Sequence, residues 1–198
     1  MKIQDDLTKY ISTALSNNLP EKTKIKTRFH LLDAIVSILT GRLLPPGQKG
    51  FNFSKNQGGV QEATLLGNNI KVSAINAAFS NGMAAHANET DDSHTKGRFH
   101  PGCAIIPTTL AIAEKENLSS EEIFKGIALG YDVGVRFTTS LGYKTPKTSI
   151  FATHSIGPIF GSAASAGALL KLTHEQCNYL ISYTVQQASG LALSLIHI

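Results

Sequence analysis

With 198 residues, 42% of them hydrophobic and 16% charged, the chain has the composition of a globular domain with a sizeable core and not of a disordered segment. Its 18 Lys and Arg against 14 Asp and Glu give a net charge of +4, but the cations are scattered, with small groups only at Lys22 to Lys26 and Lys144 to Lys147. No continuous basic stripe with interleaved aromatics is present, so a nucleic-acid partner is not expected, and a small anionic substrate suits the mild excess equally well.

Met1 to Lys9 lacks the apolar stretch of a secretory signal, and no run reaches the roughly 18 apolar residues that a membrane span requires, so no membrane partner is expected. Leu7, Ile11 and Leu15 recur every four residues and predict a short helix over residues 5 to 16, broken by Asn17, Asn18 and Pro20. A second helix starts near Pro20-Glu21 and runs through Phe29, Leu32, Ala34, Ile35, Ile38 and Leu39, with Gly41 and a Pro45-Pro46-Gly47 turn to end it. The stretch from Gln48 to Gly59 is polar and glycine-bearing. Ala63 to Leu66, Gly67-Asn68-Asn69 and Ile70 to Val72 then read as a small hairpin, the one β signal in the chain.

Ala74 to Ala87 is rich in alanine and predicts a buried helix whose lack of bulk permits close neighbours. After a polar loop from Asn88 to Phe99, Ala104 to Glu114 is apolar at helical length. Ser119 with Glu122 forms a capping box for a helix through Ile123, Ile127, Ala128 and Tyr131. Gly142 to Ser149 reads as another polar loop, followed by a Gly, Ala and Ser helix from Gly157 to Leu170. Thr173 with Gln176 caps a last helix through Leu180, Ile181 and Val185. Six or seven helices with short connections and one minor hairpin near residues 64 to 72 predict an all-α helical bundle without internal repeats or a domain boundary.

The chemistry concentrates between His86 and His100. Three acids (Glu89, Asp91, Asp92), three histidines (His86, His94, His100) and two cations (Lys96, Arg98) fall within these fifteen positions of a chain that is otherwise sparsely charged. Small-residue helices flank the loop and hold it at the edge of a core, where burial and mutual repulsion shift carboxylates and imidazoles into the range useful for general acid/base work. Taken singly, Asp91, Asp92 and Ser93 are also ordinary cap and turn residues. A metal site built from His86, Asp91, Asp92, His94 and His100 is a weaker reading, because the spacing matches no strong motif such as H-E-x-x-H.

His154 stands where a loop meets the glycine- and alanine-rich helix, whose N-terminus offers N–H groups and partial positive charge to an anionic ligand. His30 and His174 read as surface or cap-adjacent residues without a role. Gly157, Gly161 and Gly167 do not follow a strand and do not fit a phosphate-binding fingerprint; close helix packing explains them. Cys103 and Cys177 lie far apart without CxxC spacing, which points away from disulfides or a thiolate zinc site and towards a reducing cytoplasm.

The ordered set of Ala77-Ala78 and Asn81-Gly82 through His86, then Asp91-Asp92, then His100-Pro101-Gly102 with Ile106-Pro107, resembles the MmgE/PrpD pattern of N-G-x-x-x-H, D-D-[ST] and H-P-G. Leu31-Leu32-Asp33, the small-residue helix from Gly161 to Leu170 and Gln187 to Leu191 extend the resemblance from about residue 5 to 192.

The resemblance implies a helical N-terminal domain over residues 1–192, accompanied in longer family members by a smaller α/β domain, and a homodimer when full length. It implies cofactor-independent lyase chemistry on a di- or tricarboxylate, in which a proton is moved next to a carboxylate without a redox cofactor and without a metal. A 2-methylcitrate dehydratase-like reaction comes first, with a cis-aconitate decarboxylase or iminodisuccinate epimerase as alternatives. By the same resemblance His100 and His154 are the active-site histidines, Asp92 orients one of them, Glu89, Asp91 and Ser93 line the pocket, and Lys96 or Arg98 holds a substrate carboxylate. Two features depart from the pattern: the interval from Asp92 to His100 is one residue longer than in the decarboxylase branch, and Glu89 stands where aspartate is common. Residues 193–198 depart from it as well and read as a non-native tail on a fragment that is inactive alone. A non-catalytic helical oligomerisation module and a metallohydrolase are the readings of other classes.

Overall fold

The computed structural model describes residues 2–142 and 152–189. Most of the loop expected from Gly142 to Ser149, and the tail expected at 193–198, lie outside the described residues. Eight α-helices follow one another among the described residues: α1 (Lys2–Thr13), α2 (Glu21–Gly41), α3 (Pro45–Gln57), α4 (Ala74–Ala85), α5 (Gly102–Lys115), α6 (Ser120–Ser140), α7 (Thr153–Leu169) and α8 (His174–Gln187). A single 3-10 turn, Ala14–Ser16, extends α1. Strands β1 (Ala63–Thr64) and β2 (Lys71–Val72) pair antiparallel, Ala63 with Val72 and Thr64 with Lys71, so the chain is the expected all-α bundle with one minor hairpin. No helix among the described residues is long and apolar enough to cross a membrane.

Both expected capping boxes form. Ser119 and Thr173 accept N–H bonds from Glu122 and Gln176, whose side chains reach back to the cap residues, and this fixes where α6 and α8 begin. The expectation of a turn and polar stretch after Gly41 is corrected: Pro45–Gln57 is α3. Pro45 and Pro46 occupy its first turn, where no N–H donor is needed and a fixed φ favours the helix. Its glycines serve approach, not turning. A Cβ on Gly47 would clash with the Gly41 carbonyl, and one on Gly50 would lie 3.0 Å from Met83 Sδ on α4.

Helix α5 runs through the middle, with α4 and the hairpin on one side and α6 and α7 on the other. The small residues foreseen in α7 let its backbone meet that of α6 directly: a Cβ on Gly134 would sit 2.7 Å from the Gly157 carbonyl oxygen, and one on Gly161 equally close to that of Gly130. Thr109 and Ser165 share a fully buried 2.7 Å hydroxyl bond between α5 and α7. Ile11, Leu129, Val133, Ile156, Phe160, Ala164 and Cys177 fill the core where α1, α6, α7 and α8 converge. A second cluster, including Ala63, Leu65, Val72 and Ala77, packs the hairpin on α4. The apolar stripe expected on α2 divides. Ala34 and Ile38 are buried, whereas Phe29 and Leu32 face outward at 67% and 59% exposure.

Candidate active site

Three short motifs bring the site together, and each does so through a packing or hydrogen-bond requirement. Asn81 on α4 accepts the Leu66 N–H and donates to the Thr64 carbonyl, tying the hairpin to the helix, while Gly82 lets α4 approach the carbonyl of Cys103 on α5. The helix therefore ends at His86 directly beside the start of α5. Gly102, at the start of α5, gives its N–H to Asp92 Oδ1 at 2.8 Å; a Cβ there would stand 2.6 Å from that oxygen, which is why the turn after His100-Pro101 carries glycine.

Between these anchors, residues 94 to 99 form a tight turn. His94 and Phe99 pair in an isolated bridge, the Arg98 N–H donates to the His94 carbonyl at 2.7 Å, and Gly97 N–H donates to His94 Nδ1. Phe99 is buried against Gly157 of α7, and Thr153 Oγ1 donates to the Arg98 carbonyl at 2.6 Å. These two contacts dock the turn on the N-terminal end of α7, next to His154. Glu89 and Arg98 hold φ of 56° and 53°, left-handed conformations that are costly for residues with side chains and that recur at functional sites.

The result is a cavity of about 420 Å³ lined by His86, Glu89, Ser93, Arg98, Phe99, His100, Cys103 and His154. Of the residues singled out in the sequence, His100, His154, Glu89, Ser93 and Arg98 thus share one wall. Lys96 is not among the lining residues and stands exposed on the turn, which leaves Arg98 as the cation suited to a carboxylate here. Asp91 lies beneath the wall: its side chain has no exposed surface and is not among the lining residues, where the sequence had it lining the pocket. Its carboxylate stands 3.1 Å from His86 Nδ1 and 3.5 Å from His100 Nδ1, and its main-chain oxygen lies 3.2 Å from the same His100 nitrogen. The His86 and His100 rings meet edge to face at 5.0 Å.

Asp92 points the other way and touches neither His100 nor His154, which corrects its expected orienting role. Its Oδ2 lies 2.7 Å from His30 Nδ1 on α2 and accepts the Tyr131 hydroxyl of α6 at 2.8 Å. Sequence reasoning gave His30 no role, although a signal was present: His30, Ala34 and Ile38 recur every four residues, which places the histidine on the buried face of α2. Cys103 likewise had no place in the expected site, and His86 was named in the cluster without a role of its own.

Each of these groups has a charge state set by its neighbours. The hydrogen bond to Asp91 raises the His86 pKa, against a smaller effect of burial, and the negative charges of Asp91 and Glu89 add to it; Glu89 Oε1 is 3.3 Å from His86 Nε2. Burial alone would raise the Asp92 carboxyl, but the bonds from His30, Tyr131 and the Gly102 N–H outweigh it and hold it below its ordinary value. Burial pushes the Cys103 thiol up, and the nearby Asp91 carboxylate pushes it further, so it stays protonated; it donates to the His100 carbonyl at 3.2 Å. Burial, then Asp92, raises the Tyr131 phenol in the same way.

The donor atoms of His86, Asp91 and Cys103 lie within 4.8 Å of one another, the spacing of a metal site. Both ring nitrogens of His86 face carboxylates and the Cys103 thiol donates to the His100 carbonyl, so hydrogen bonds within the protein engage all three groups. The wider metal set considered from sequence does not assemble: Asp92 turns to His30 and Tyr131, and His94 closes its own turn on Gly97.

A family model described as the MmgE/PrpD N-terminal domain matches residues 5–195, past the boundary at 192 expected from the motifs. A cis-aconitate decarboxylase-like protein, oryM, of Aspergillus oryzae is 25% identical over 196 residues, covering 94% of this chain and 40% of the relative. The human cis-aconitate decarboxylase is 24% identical over 193 residues, covering 93% of this chain and 40% of its own length. The chain thus spans two fifths of the length of the curated relatives it matches.

Proposed function

The chain belongs to the MmgE/PrpD family, and on that premise we propose that it supplies the histidine-bearing part of the active site of a lyase acting on a di- or tricarboxylate. The observation that carries this reading is the single cavity shared by His100, His154, Arg98 and Glu89. A guanidinium and a helix N-terminus on one wall favour an anionic substrate, and two imidazoles beside them suit removal and return of a proton near neutral pH.

In this reading a substrate carboxylate lies against Arg98 and the first turn of α7. For dehydration, a ring nitrogen of His100 or His154 takes a proton from the carbon next to that carboxylate and the other histidine delivers one to the departing hydroxyl, which leaves as water; for decarboxylation, the bond to the carboxylate breaks to release carbon dioxide and one histidine delivers a proton to carbon. Ser93 and Glu89 offer hydrogen bonds to the substrate hydroxyl or to a second carboxylate. Proton transfer of this kind needs no redox cofactor.

Dehydration of a 2-methylcitrate-like substrate is the first form of the proposal. Decarboxylation is the second, favoured by the names of both curated relatives. A protein of the relatives' length carrying this sequence decides between them when incubated separately with 2-methylcitrate and cis-aconitate. Loss of water from the first substrate supports dehydration, loss of carbon dioxide from the second supports decarboxylation, and turnover of no di- or tricarboxylate in a panel refutes both.

A further inference from the structure

Resting on that reading, we infer that Asp91 and His86 form a positioning pair that holds His100 in the one tautomer able to act as a base in the cavity. The carbonyl oxygen of Asp91 lies 3.2 Å from His100 Nδ1. A carbonyl oxygen can only accept, so His100 Nδ1 carries the hydrogen in that bond. The Asp91 carboxylate, 3.5 Å from the same nitrogen, reinforces this choice because an ionised carboxylate also only accepts. In the neutral ring the lone pair therefore resides on Nε2. One residue thus sets both the orientation and the tautomer of His100, using its main chain and its side chain together.

A wholly buried carboxylate needs a counter-charge to remain ionised. His86 provides it. Its Nδ1 faces Asp91 at 3.1 Å and its Nε2 faces Glu89 at 3.3 Å, and two carboxylate partners on the two nitrogens are satisfied together only by an imidazolium. The Cys103 thiol, also beside Asp91, is held protonated and supplies no charge. Asp92 turns its carboxylate to His30, Tyr131 and Gly102 and takes no part. His86 thus reaches His100 through Asp91, and neither member of the pair needs to touch the reacting atoms.

The test uses a protein of the relatives' length with histidines labelled with ¹⁵N. In the unsubstituted protein the His100 ring is expected to show a protonated Nδ1 and an unprotonated Nε2. Asp91→Asn keeps the main-chain carbonyl that fixes the hydrogen on Nδ1 and removes only the carboxylate charge beside it, so the Nδ1–H tautomer is expected to persist while the ring loses the carboxylate that steadies it. Turnover should then fall about tenfold, the worth of one charge-assisted contact, with KM nearly unchanged. His86→Gln keeps the Asp91 bonds to His100 and removes only the counter-charge; its turnover should fall about tenfold, the worth of one charge-assisted hydrogen bond. A folded Asp91→Asn that keeps its turnover overturns the inference, as does an Nε2–H ring at His100 in the unsubstituted protein. Should Asp91→Asn fail to fold, His86→Gln decides: unchanged turnover there overturns it as well. His100→Gln separates the two levels of the argument, since active His100→Gln refutes the proposed acid/base role, whereas inactive His100→Gln beside active Asp91→Asn refutes only the positioning pair.

Discussion

Asp91 and Asp92 are neighbours in the chain, and their carboxylates serve opposite sides of the molecule. Asp91 sits beneath the cavity wall and bonds the rings of His86 and His100. Asp92 faces α2, where it joins His30, Tyr131 and the first N–H of α5. One acid shapes the site; the other clamps α2, α5 and α6 around it. The pair teaches that an acidic dipeptide in a motif need not be two copies of one function, because neighbouring side chains can leave the backbone on different sides.

The strongest way to break this contrast is to exchange the consequences. Asp92→Ala removes three bonds at once and strands the buried Tyr131 hydroxyl, so the folded state should lose roughly 3 kcal/mol, read as a lower urea midpoint. Its remaining folded fraction should turn over substrate nearly normally. A variant with unchanged stability and abolished turnover would instead place Asp92 in the chemistry, as the motif alone suggested. Gly102→Ala strikes the same clamp more gently. A methyl forced to 2.6 Å from Asp92 Oδ1 and 3.0 Å from Tyr131 Oη should cost about 2 kcal/mol by overpacking.

On the cavity side, Arg98→Ala should raise KM about tenfold, the loss of one charge-assisted contact to a carboxylate. Lys96→Ala, on the same turn but outside the cavity lining, should change stability by less than about 0.5 kcal/mol and leave KM unaltered. Equal effects of the two substitutions would remove Arg98 from its assigned position.

The two sides should also respond to opposite ends of the pH scale. The folded-state pKa of His86 is raised, so its contribution to stability is complete below the ordinary imidazole value of 6.5 and is lost as pH rises through the raised one. The Asp92 pKa is depressed, so its contribution is complete above the ordinary value of 3.8 and is lost as pH falls through the lowered one. Denaturation midpoints of His86→Gln and wild type should therefore converge on the alkaline side, and those of Asp92→Ala and wild type in acid. Convergence at the same end for both would contradict the assigned charge states.

Much of this was legible in the residues. Periodicity and the two capping boxes located most of the helices, and the short motifs located the cavity wall. What escaped had identifiable physical causes. Pro45, Pro46 and Gly47 read as a turn because proline and glycine usually punctuate; here proline pre-sets a helix and glycine permits contact. Phe29 and Leu32 fit an amphipathic stripe by spacing, yet the buried face of α2 runs along Ala34 and Ile38. The division of labour between Asp91 and Asp92 depends on which way each carboxylate leaves the backbone, and residue identity does not encode that. His30 lies far from the motif in sequence and joins it only through tertiary packing.

The most direct test of the central claim follows solvent deuterium in a protein of the relatives' length carrying this sequence. Dehydration run in reverse, decarboxylation and epimerisation each deliver a solvent proton to carbon, so in heavy water the substrate re-formed from the unsaturated product, the decarboxylated product or the epimer should acquire deuterium there. The account predicts that His100→Gln, folded as shown by an unchanged denaturation midpoint, loses this incorporation. Deuterium entering at the wild-type rate in that variant would contradict it.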